Sequence, residues 1–499
     1  MIQSKLSNSL KPKAIVVGSG IAGIASALRL AEKNYTVQVF ESSPHAGGKI
    51  HSFSNTGFRF DFGPSLFTMP HLVDELFELF NIDPKSKFEY VKKDVICNYF
   101  WDDGTSFSAP ADEQKFIEQA AATFSTSKKS LANYLKRNGI KYDLTAPIFL
   151  NKSLHSWRTY FSITTLHTLF QSYKLDLSST LDKVNKKHFS NPKLVQLFNR
   201  YATYNGSSPY ATSGIMSMIP HLEMSLGTYF PTGGMHEISQ SLYRLALEVG
   251  VSFNFNEPVL KINHDEKQVL GITTSKANYQ ADTVVSNMDI FSTFKKLIPH
   301  ANQPKRILRQ ERSSSALIFY WGINRSFPEL DLHNIFFSND YQSEFDCIFK
   351  KQKLHNDPTV YVNITSKEKK DDAPDGCENW FVMINTPHDA GQNWLELLNQ
   401  SRRNIIRKLN HILHIDIEKH IVCEDTIDPI QIEQLTGSHL GSLYGTSSNS
   451  TFSTFLRHPN FSSQFQNLFF CGGSVHPGGG IPLCLLSAKI ATNQIKSHD

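Results

Sequence analysis

Long apolar runs are missing from this 499-residue chain: no stretch approaches the roughly 18–20 apolar residues that cross a bilayer as a helix. Cysteine is scarce. Cys97, Cys347, Cys377, Cys423, Cys471 and Cys484 stand far apart, with no C-x-x-C pair and no His-rich neighbourhood. That spacing excludes a disulfide frame or a zinc site and fits reduced thiols in the cytoplasm. Charge of one sign is thin as well. Lys and Arg number 50 against 46 Asp and Glu, a balance of +4, which is too small for a nucleic-acid binder. No metal-ligand set and no Ser-His-Asp arrangement is legible, so the expectation is no metal.

Phenylalanine departs in the other direction, at 36 residues, with aromatics at 12%. Compositional bias accounts for part of this. A large apolar cavity or a membrane-facing surface accounts for it more specifically, because aromatic rings carry much apolar area at modest entropy cost.

The strongest motif lies within the first forty-one residues. Ala14-Ile15-Val16-Val17 is an unbroken apolar run, the pattern of a parallel strand buried on both faces. It leads into Gly18-Ser19-Gly20-Ile21-Ala22-Gly23, after which Ile24, Leu28 and Ala31 recur at helical spacing through Glu32. Thr36–Phe40 reads as a second strand, with Glu41 at its end. This order suits a dinucleotide. Gly18 permits the tight turn, Gly20 lets backbone approach a pyrophosphate beside Ala22, and Gly23 lets the helix pack on the strand. Glu41 is placed to accept both hydroxyls of an adenosine ribose and disfavours a 2′-phosphate there. Lys5, Lys11 and Lys13 before the first strand imitate a signal peptide, but these glycines have the better use.

Two more segments bear on the ligand. Ser42 to Lys49 reads S-S-P-H-A-G-G-K, and Gly47-Gly48 brings a second backbone loop to it; Gly57–Ser65 follows as a strand and a turn through Gly63, Pro64 and Ser65. A nicotinamide enzyme needs no such loop. At the other end, Leu468–Cys471 is a short strand leading into Gly472-Gly473-Ser474-Val475-His476-Pro477-Gly478-Gly479-Gly480-Ile481-Pro482 and a helix. Pro482 suits the first helical turn. Two anion-cradling segments at opposite ends of a chain are what wrapping an extended FAD requires.

The Ser42–Ser65 stretch resembles that of FAD enzymes of the amine oxidase and carotenoid desaturase superfamily, in which an Arg often stands where Lys49 does. The C-terminal G-G-S-V-H-P-G-G-G-I-P resembles the signature of the bacterial phytoene desaturase family, and its G-G-S-V-H-P wording resembles the branch that desaturates hydroxylated or methoxylated carotenoids at C-3,4. Gly227–Met235 and Ala281–Asn287 match family spacing, and Val251–Val259 resembles the family strand whose Val, here Val259, reaches the adenine. The resemblance runs from Lys13 to Ile495. It implies an α/β fold: a Rossmann-like FAD-binding domain from 1–95, 226–300 and 425–499, interleaved with a substrate domain from 96–225 and 301–424. It implies FAD held by Gly18, Gly20, Ala22, Gly23, Glu41, Gly48, Lys49, Gly63, Pro64, Ser65, Val259, Gly473, Ser474, Gly480, Ile481 and Pro482. It also implies an oxidoreductase passing electrons to oxygen or a quinone.

Between the flavin segments the texture divides. Residues 300–425 carry period-2 strands, as in Leu317, Phe319 and Trp321, or Val360, Val362 and Ile364, expected to form an antiparallel sheet as a cavity floor. Residues 110–225 read as helical and aromatic. Residues 151–200 hold eight Lys/Arg against two Asp, a local +6, so a part around 145–205, with Trp157 and Phe161 among its aromatics, is expected to lie on an anionic bilayer. That places the protein in the cytoplasm at the inner face of the cell membrane. A solvated charged face is the plainer reading of the same residues.

The expected reaction is C=C formation in an apolar carotenoid, at C-3,4 of a hydroxylated end, one hydrogen leaving as hydride to the flavin and one as a proton. Glu223 resembles a family Glu near the substrate cavity, where apolar surroundings would fit a carboxylate for taking that proton. Arg200 and Tyr204, in R-Y-A-T-Y-N-G, resemble a cavity-lining segment. His476 and Asp61 are expected to shape loops. A multi-step phytoene-type desaturase, a flavin-dependent carotenoid isomerase, an amine oxidase relative and a non-enzymatic carotenoid carrier are the alternatives.

Overall fold

A computed structural model describes residues 11–161, 163–450 and 455–498, with the side chains of Trp157, Arg158, Ile163 and Thr164 excepted. Lys5, residues 451–454 and the side chain of Trp157, all within segments assigned above, lie outside the described residues.

The first half of the architecture is a five-stranded parallel sheet. Its order is 468–470, 283–286, 13–17, 36–40, 252–254, with Lys13–Val17 paired on both sides. Alternation within the central strand sorts the layers. Ala14 and Val16 pack into the cluster built with helices Ile21–Glu32, His236–Glu248 and Ile481–Thr492. Ile15 and Val17 face the opposite way, onto the three-stranded antiparallel meander of 259–264, 269–274 and 278–280. A strand covered on both faces must be apolar throughout, which is why Ala14-Ile15-Val16-Val17 has no alternation.

The second half is a seven-stranded sheet in the order 421–427, 315–323, 378–386, 360–364, 333–336, 95–100, 106–110. Its pairs are antiparallel except one: His333–Phe336 runs parallel to Val95–Phe100, so the expected antiparallel floor is a mixed sheet. A crossover of more than 200 residues separates those two strands, and only such a long return permits parallel pairing. One face of the sheet carries Phe319, Trp321, Val362, Trp380 and Val382 against the helix Trp394–Leu413. Trp321 and Trp380 are opposite one another and fully buried; truncating such a ring costs roughly 3–5 kcal/mol.

The other face looks inward. Ile318, Tyr320 and Phe381 meet Phe58, Phe60 and Phe62 of the hairpin 51–62. Further along, Tyr99 and Ile335 meet the helices of 113–224. This inner face is roofed by helices and flanked by the parallel sheet. Among the described residues no helix is long and apolar enough to cross a membrane. Around the helix Ile163–Phe170, however, Tyr160, Phe161, Leu166, Leu169, Phe170 and Tyr173 are exposed, Phe161 to 79% and Phe170 to 83%.

Candidate active site

Four chain reversals meet at the carboxyl edge of the parallel sheet, after Val17, Phe40, Ser286 and Phe470. That edge is where open α/β sheets place ligands. Gly23 shows the close packing that the motif requires: a Cβ there would lie 2.1 Å from the Gly18 carbonyl. The second loop lies on the first, with Gly47 N donating to the Ser19 carbonyl at 2.9 Å and a Gly48 Cβ position 3.1 Å from Gly20 Cα. Gly63, at φ +101, turns under Lys49, whose carbonyl a Cβ would strike at 1.9 Å. Asn287 ties the loops together, its backbone N donating to Val17 and its Nδ2 to the Cys471 carbonyl at 3.2 Å.

Two helices start in this cluster without a side-chain cap or an acidic residue in the first turn. One follows Gly20 and contains Ala22; the other follows Gly480 and contains Ile481 and Pro482. Buried helix N-termini left with free N–H groups and positive dipole ends suit a diphosphate. These residues fit FAD.

Glu41 is buried and more engaged than its motif position implied. Its Oε2 accepts from Ser19 N at 2.7 Å and Ser19 Oγ at 2.9 Å; its Oε1 accepts from Ser43 N at 2.9 Å and Ser42 Oγ at 3.1 Å. It therefore pins the glycine turn, and the two serine hydroxyls are the partners a ribose would displace. Lys49 Nζ donates to the Leu443 carbonyl at 3.0 Å, and burial pulls its pKa down against the opposing pull of Asp289. Val259 opens the strand of the meander nearest Glu41, joined to it by Glu257 N donating to the Glu41 carbonyl. Ser474 Oγ accepts from Ile290 N at 2.9 Å.

The C-terminal loop is clamped by a residue with no motif. Arg457, 2% exposed, donates to the carbonyls of Tyr444 and Thr446 at 2.9 Å and of Gly473 at 3.3 Å, and burial brings its pKa down to about 10. His476 is fully buried. Its Nε2 lies 3.0 Å from the Lys152 carbonyl and its ring meets Phe149 edge-on, while burial lowers its pKa to about 4. It thus ties the flavin loop to the helical roof. Asp61 holds a helix start, accepting from the backbone N of Met235 and His236 at 2.9 and 3.1 Å.

The cluster on the inner face of the seven-stranded sheet is built from side chains. Glu223, 2% exposed, does not have the apolar surroundings expected for it. Its Oε2 accepts from Arg200 Nη2 at 2.7 Å and from Tyr201 Oη at 2.5 Å. As placed, the carboxylate is an ion-paired acceptor of two hydrogen bonds. Arg200 also donates through Nε to Tyr99 Oη at 2.8 Å and through Nη1 to Tyr204 Oη at 3.4 Å, and it lies 4.2 Å from the Tyr201 ring centre. Burial opposes its charge, but Glu223, Tyr99 and Tyr201 raise its pKa well above the usual value.

A separate hydrogen-bond chain runs from the turn of Gly63, Pro64 and Ser65 to the inner sheet face. Ser65 Oγ is 2.8 Å from Tyr361 Oη, which is 2.7 Å from His333 Nδ1. Burial, with Arg200 and Lys93 behind it, lowers the His333 pKa to about 3. The neutral ring takes Asn363 Nδ2 at 3.2 Å on Nδ1, so Tyr361 donates to that nitrogen and accepts from Ser65. Tyr99, His333, Tyr361, Asn287 and Arg457 escaped the sequence reading. For Tyr361 the signal was present, in the period-2 strand of Val360, Val362 and Ile364, but alternation marks a face and not a partner.

Residues 21–496 match the family model described as flavin-containing amine oxidoreductase. The chain is 57% identical over 483 residues to the 1-hydroxycarotenoid 3,4-desaturase of Flavobacterium sp. (strain P99-3), covering 97% of this chain and 99% of that protein. It is 30% identical over 491 residues to the 4,4'-diapolycopene oxygenase of Methylomonas sp, covering 97% and 98%. Among solved structures, an oxidoreductase from Methanosarcina mazei superposes with a TM-score of 0.64 at 14% identity, covering 96% of this chain and all of that one. Cyclohexylamine oxidase from Brevibacterium oxydans gives 0.63 at 14%, covering 97% and 99%. Those two show the fold.

Proposed function

Because the chain belongs to the flavin-containing amine oxidoreductases, and among them to the bacterial carotenoid desaturases, we propose that it is an FAD-dependent enzyme that introduces the C-3,4 double bond of a hydroxylated carotenoid. The observation that carries this reading is the 57% identity, over 97% of the chain, to a 1-hydroxycarotenoid 3,4-desaturase. Bound FAD supplies the hydride acceptor.

The chain's own part is binding, alignment and exclusion of water. In this reading segments 1–95, 226–300 and 425–499 hold FAD through the two uncapped helix starts and Glu41, and the polyene lies between the inner sheet face and the helical roof. Ser65 of the first part bonds Tyr361 of the second, which supports a reading in which the substrate's reacting end lies against the loop of Gly63 and Pro64. The fully buried aromatic floor keeps water from that contact.

A carotenoid is too apolar to arrive through water. The exposed rings of Phe161, Phe170 and Tyr173, with the local excess of Lys and Arg, support docking on an anionic bilayer at its cytoplasmic side. Electrons then leave to oxygen or to a membrane quinone.

The test is incubation of the FAD-loaded protein with a 1-hydroxycarotenoid in anionic and neutral vesicles. Expected are a product two hydrogens lighter that absorbs at longer wavelength, and vesicle binding that weakens with salt. A product of unchanged mass and altered double-bond geometry would make it an isomerase; a product with added oxygen would make it an oxygenase.

A further inference from the structure

Arg200 holds two groups whose hydrogen-bonding capacity is unspent. Through Nη1 it reaches Tyr204 Oη, and through Nη2 it reaches Glu223 Oε2. Tyr204 accepts from Arg200, and its own O–H finds no acceptor among the described residues. Glu223 receives both of its donors on Oε2, and Oε1 accepts no hydrogen bond among the described residues. The two terminal nitrogens of one guanidinium therefore hold a phenol with a free donor and a carboxylate with a free acceptor, the phenol packed against the apolar cluster of Tyr99, Phe198 and Ile335. An alcohol both donates and accepts, and so complements this pair; a hydrocarbon end would leave both groups unpaired.

Resting on the desaturase reading above, we propose that Tyr204 and Glu223, held in place by Arg200, bind the hydroxyl of the hydroxylated carotenoid end. The alcohol O–H donates to Glu223 Oε1, and its oxygen accepts from Tyr204 O–H. Arg200 is the positioning residue. Its fork, fixed by Tyr99 at Nε, keeps the acceptor turned toward the donor, and the stacked Tyr201 ring, 4.2 Å away, blocks the opposite side.

This assigns a source of selectivity and of register together. A site built to hydrogen-bond a hydroxyl rejects the analogue that lacks it far more strongly than a greasy pocket rejects a size change. With the hydroxyl anchored, the carbon–carbon bonds beside it are held at a fixed distance from the anchor. Glu223 then serves recognition.

Binding is measured apart from turnover, as the dissociation constants of a 1-hydroxycarotenoid and of the same polyene without its hydroxyl, from quenching of the protein's fluorescence in the FAD-loaded enzyme. The wild type is expected to prefer the alcohol by about tenfold or more, the worth of one or two well-made hydrogen bonds. Tyr204→Phe removes one oxygen from a half-buried ring, so the fold survives, and the preference is expected to shrink by about tenfold. Glu223→Gln keeps an acceptor but breaks the ion pair, and is expected to shrink it as well, with the flavin spectrum reporting that the site is intact. A wild type that binds both polyenes equally, or a Tyr204→Phe protein whose preference is unchanged, overturns the assignment. Product mass from the same wild-type mixtures reads the reaction separately: binding preference without loss of two hydrogens removes the desaturase reading and leaves the alcohol site standing.

Discussion

The side proposed to hold the cofactor and the side proposed to hold the substrate are built from different materials. The first is mostly backbone: glycine turns, two uncapped helix starts and carbonyls clamped by Arg457, gathered at one edge of a parallel sheet. The second is side chain: Tyr99, Arg200, Tyr204, Glu223, His333 and Tyr361, drawn from strands and helices that are far apart in sequence. A backbone site tolerates changes of side-chain chemistry but no added bulk. A side-chain network tolerates a change of bulk but no lost charge. The two halves should therefore fail in different ways, and substitution can separate them.

Added bulk on the cofactor side has the largest expected effect. Gly23→Val places carbon where the Gly18 carbonyl already lies, so FAD content after purification is expected to fall to a few hundredths of the wild-type value or below. Stoichiometric flavin in that variant would mean that the helix does not start where it is placed.

Lost charge on the substrate side comes next. Arg200→Ala leaves Glu223 buried without its partner, for which about 3–5 kcal/mol of stability is expected to disappear. The double variant Arg200→Met, Glu223→Leu is expected to recover most of that, with FAD still bound and turnover of the hydroxylated substrate still lost. Denaturant unfolding of the three proteins reads the outcome; a double variant no more stable than the single one would show that packing, not charge, governs the cluster.

Glu41→Ala probes where the two kinds of construction overlap, because a side chain there pins a backbone turn. Loss of a charged hydrogen-bond acceptor is expected to weaken FAD by about 1.5–3 kcal/mol. Equilibrium dialysis at matched protein concentration would expose an unchanged affinity and so a misplaced adenosine.

The smallest effect is a pH slope. His476 and His458 beside the C-terminal loop fold with pKa values lowered by burial to about 4, and His333 on the substrate side to about 3. Unfolded histidines titrate near roughly 6.5. Their contribution is thus complete above that pH and is lost as pH falls toward 4, since only the unfolded chain takes up the protons. Glu344, raised by burial to about 7, works the other way but is outnumbered. The unfolding temperature should hold between pH 8 and 6.5 and decline from 6.5 to 5. A rise over that interval would contradict the neutral, buried assignment.

The same contrast explains what could be read from the chain. Backbone sites need glycine at fixed spacing, so Gly18, Gly20, Gly23 and the run before Ile481 announced both the fold and its ligand. The parallel strands beside the glycine motifs and the presence of a second sheet followed from apolar runs and period-2 alternation. The parallel pairing of His333–Phe336 with Val95–Phe100 did not, because register between distant segments leaves no local trace. Arg200, Tyr204 and Glu223 were visible only as members of a resembling segment. Their ion pair, and the donors that surround Glu223, depend on the helices of 192–224 folding back on one another. Arg457, a lone basic residue in an unremarked stretch, gave no sign that it would clamp the flavin loop.

One measurement reaches the centre of this account: anaerobic mixing of the FAD-loaded protein with a 1-hydroxycarotenoid, following the visible flavin absorption and the product together. Two-electron oxidation predicts that the flavin band bleaches as one product molecule, two hydrogens lighter, forms per flavin. Product formed with the flavin band intact, or a bound carotenoid left unchanged, would contradict it.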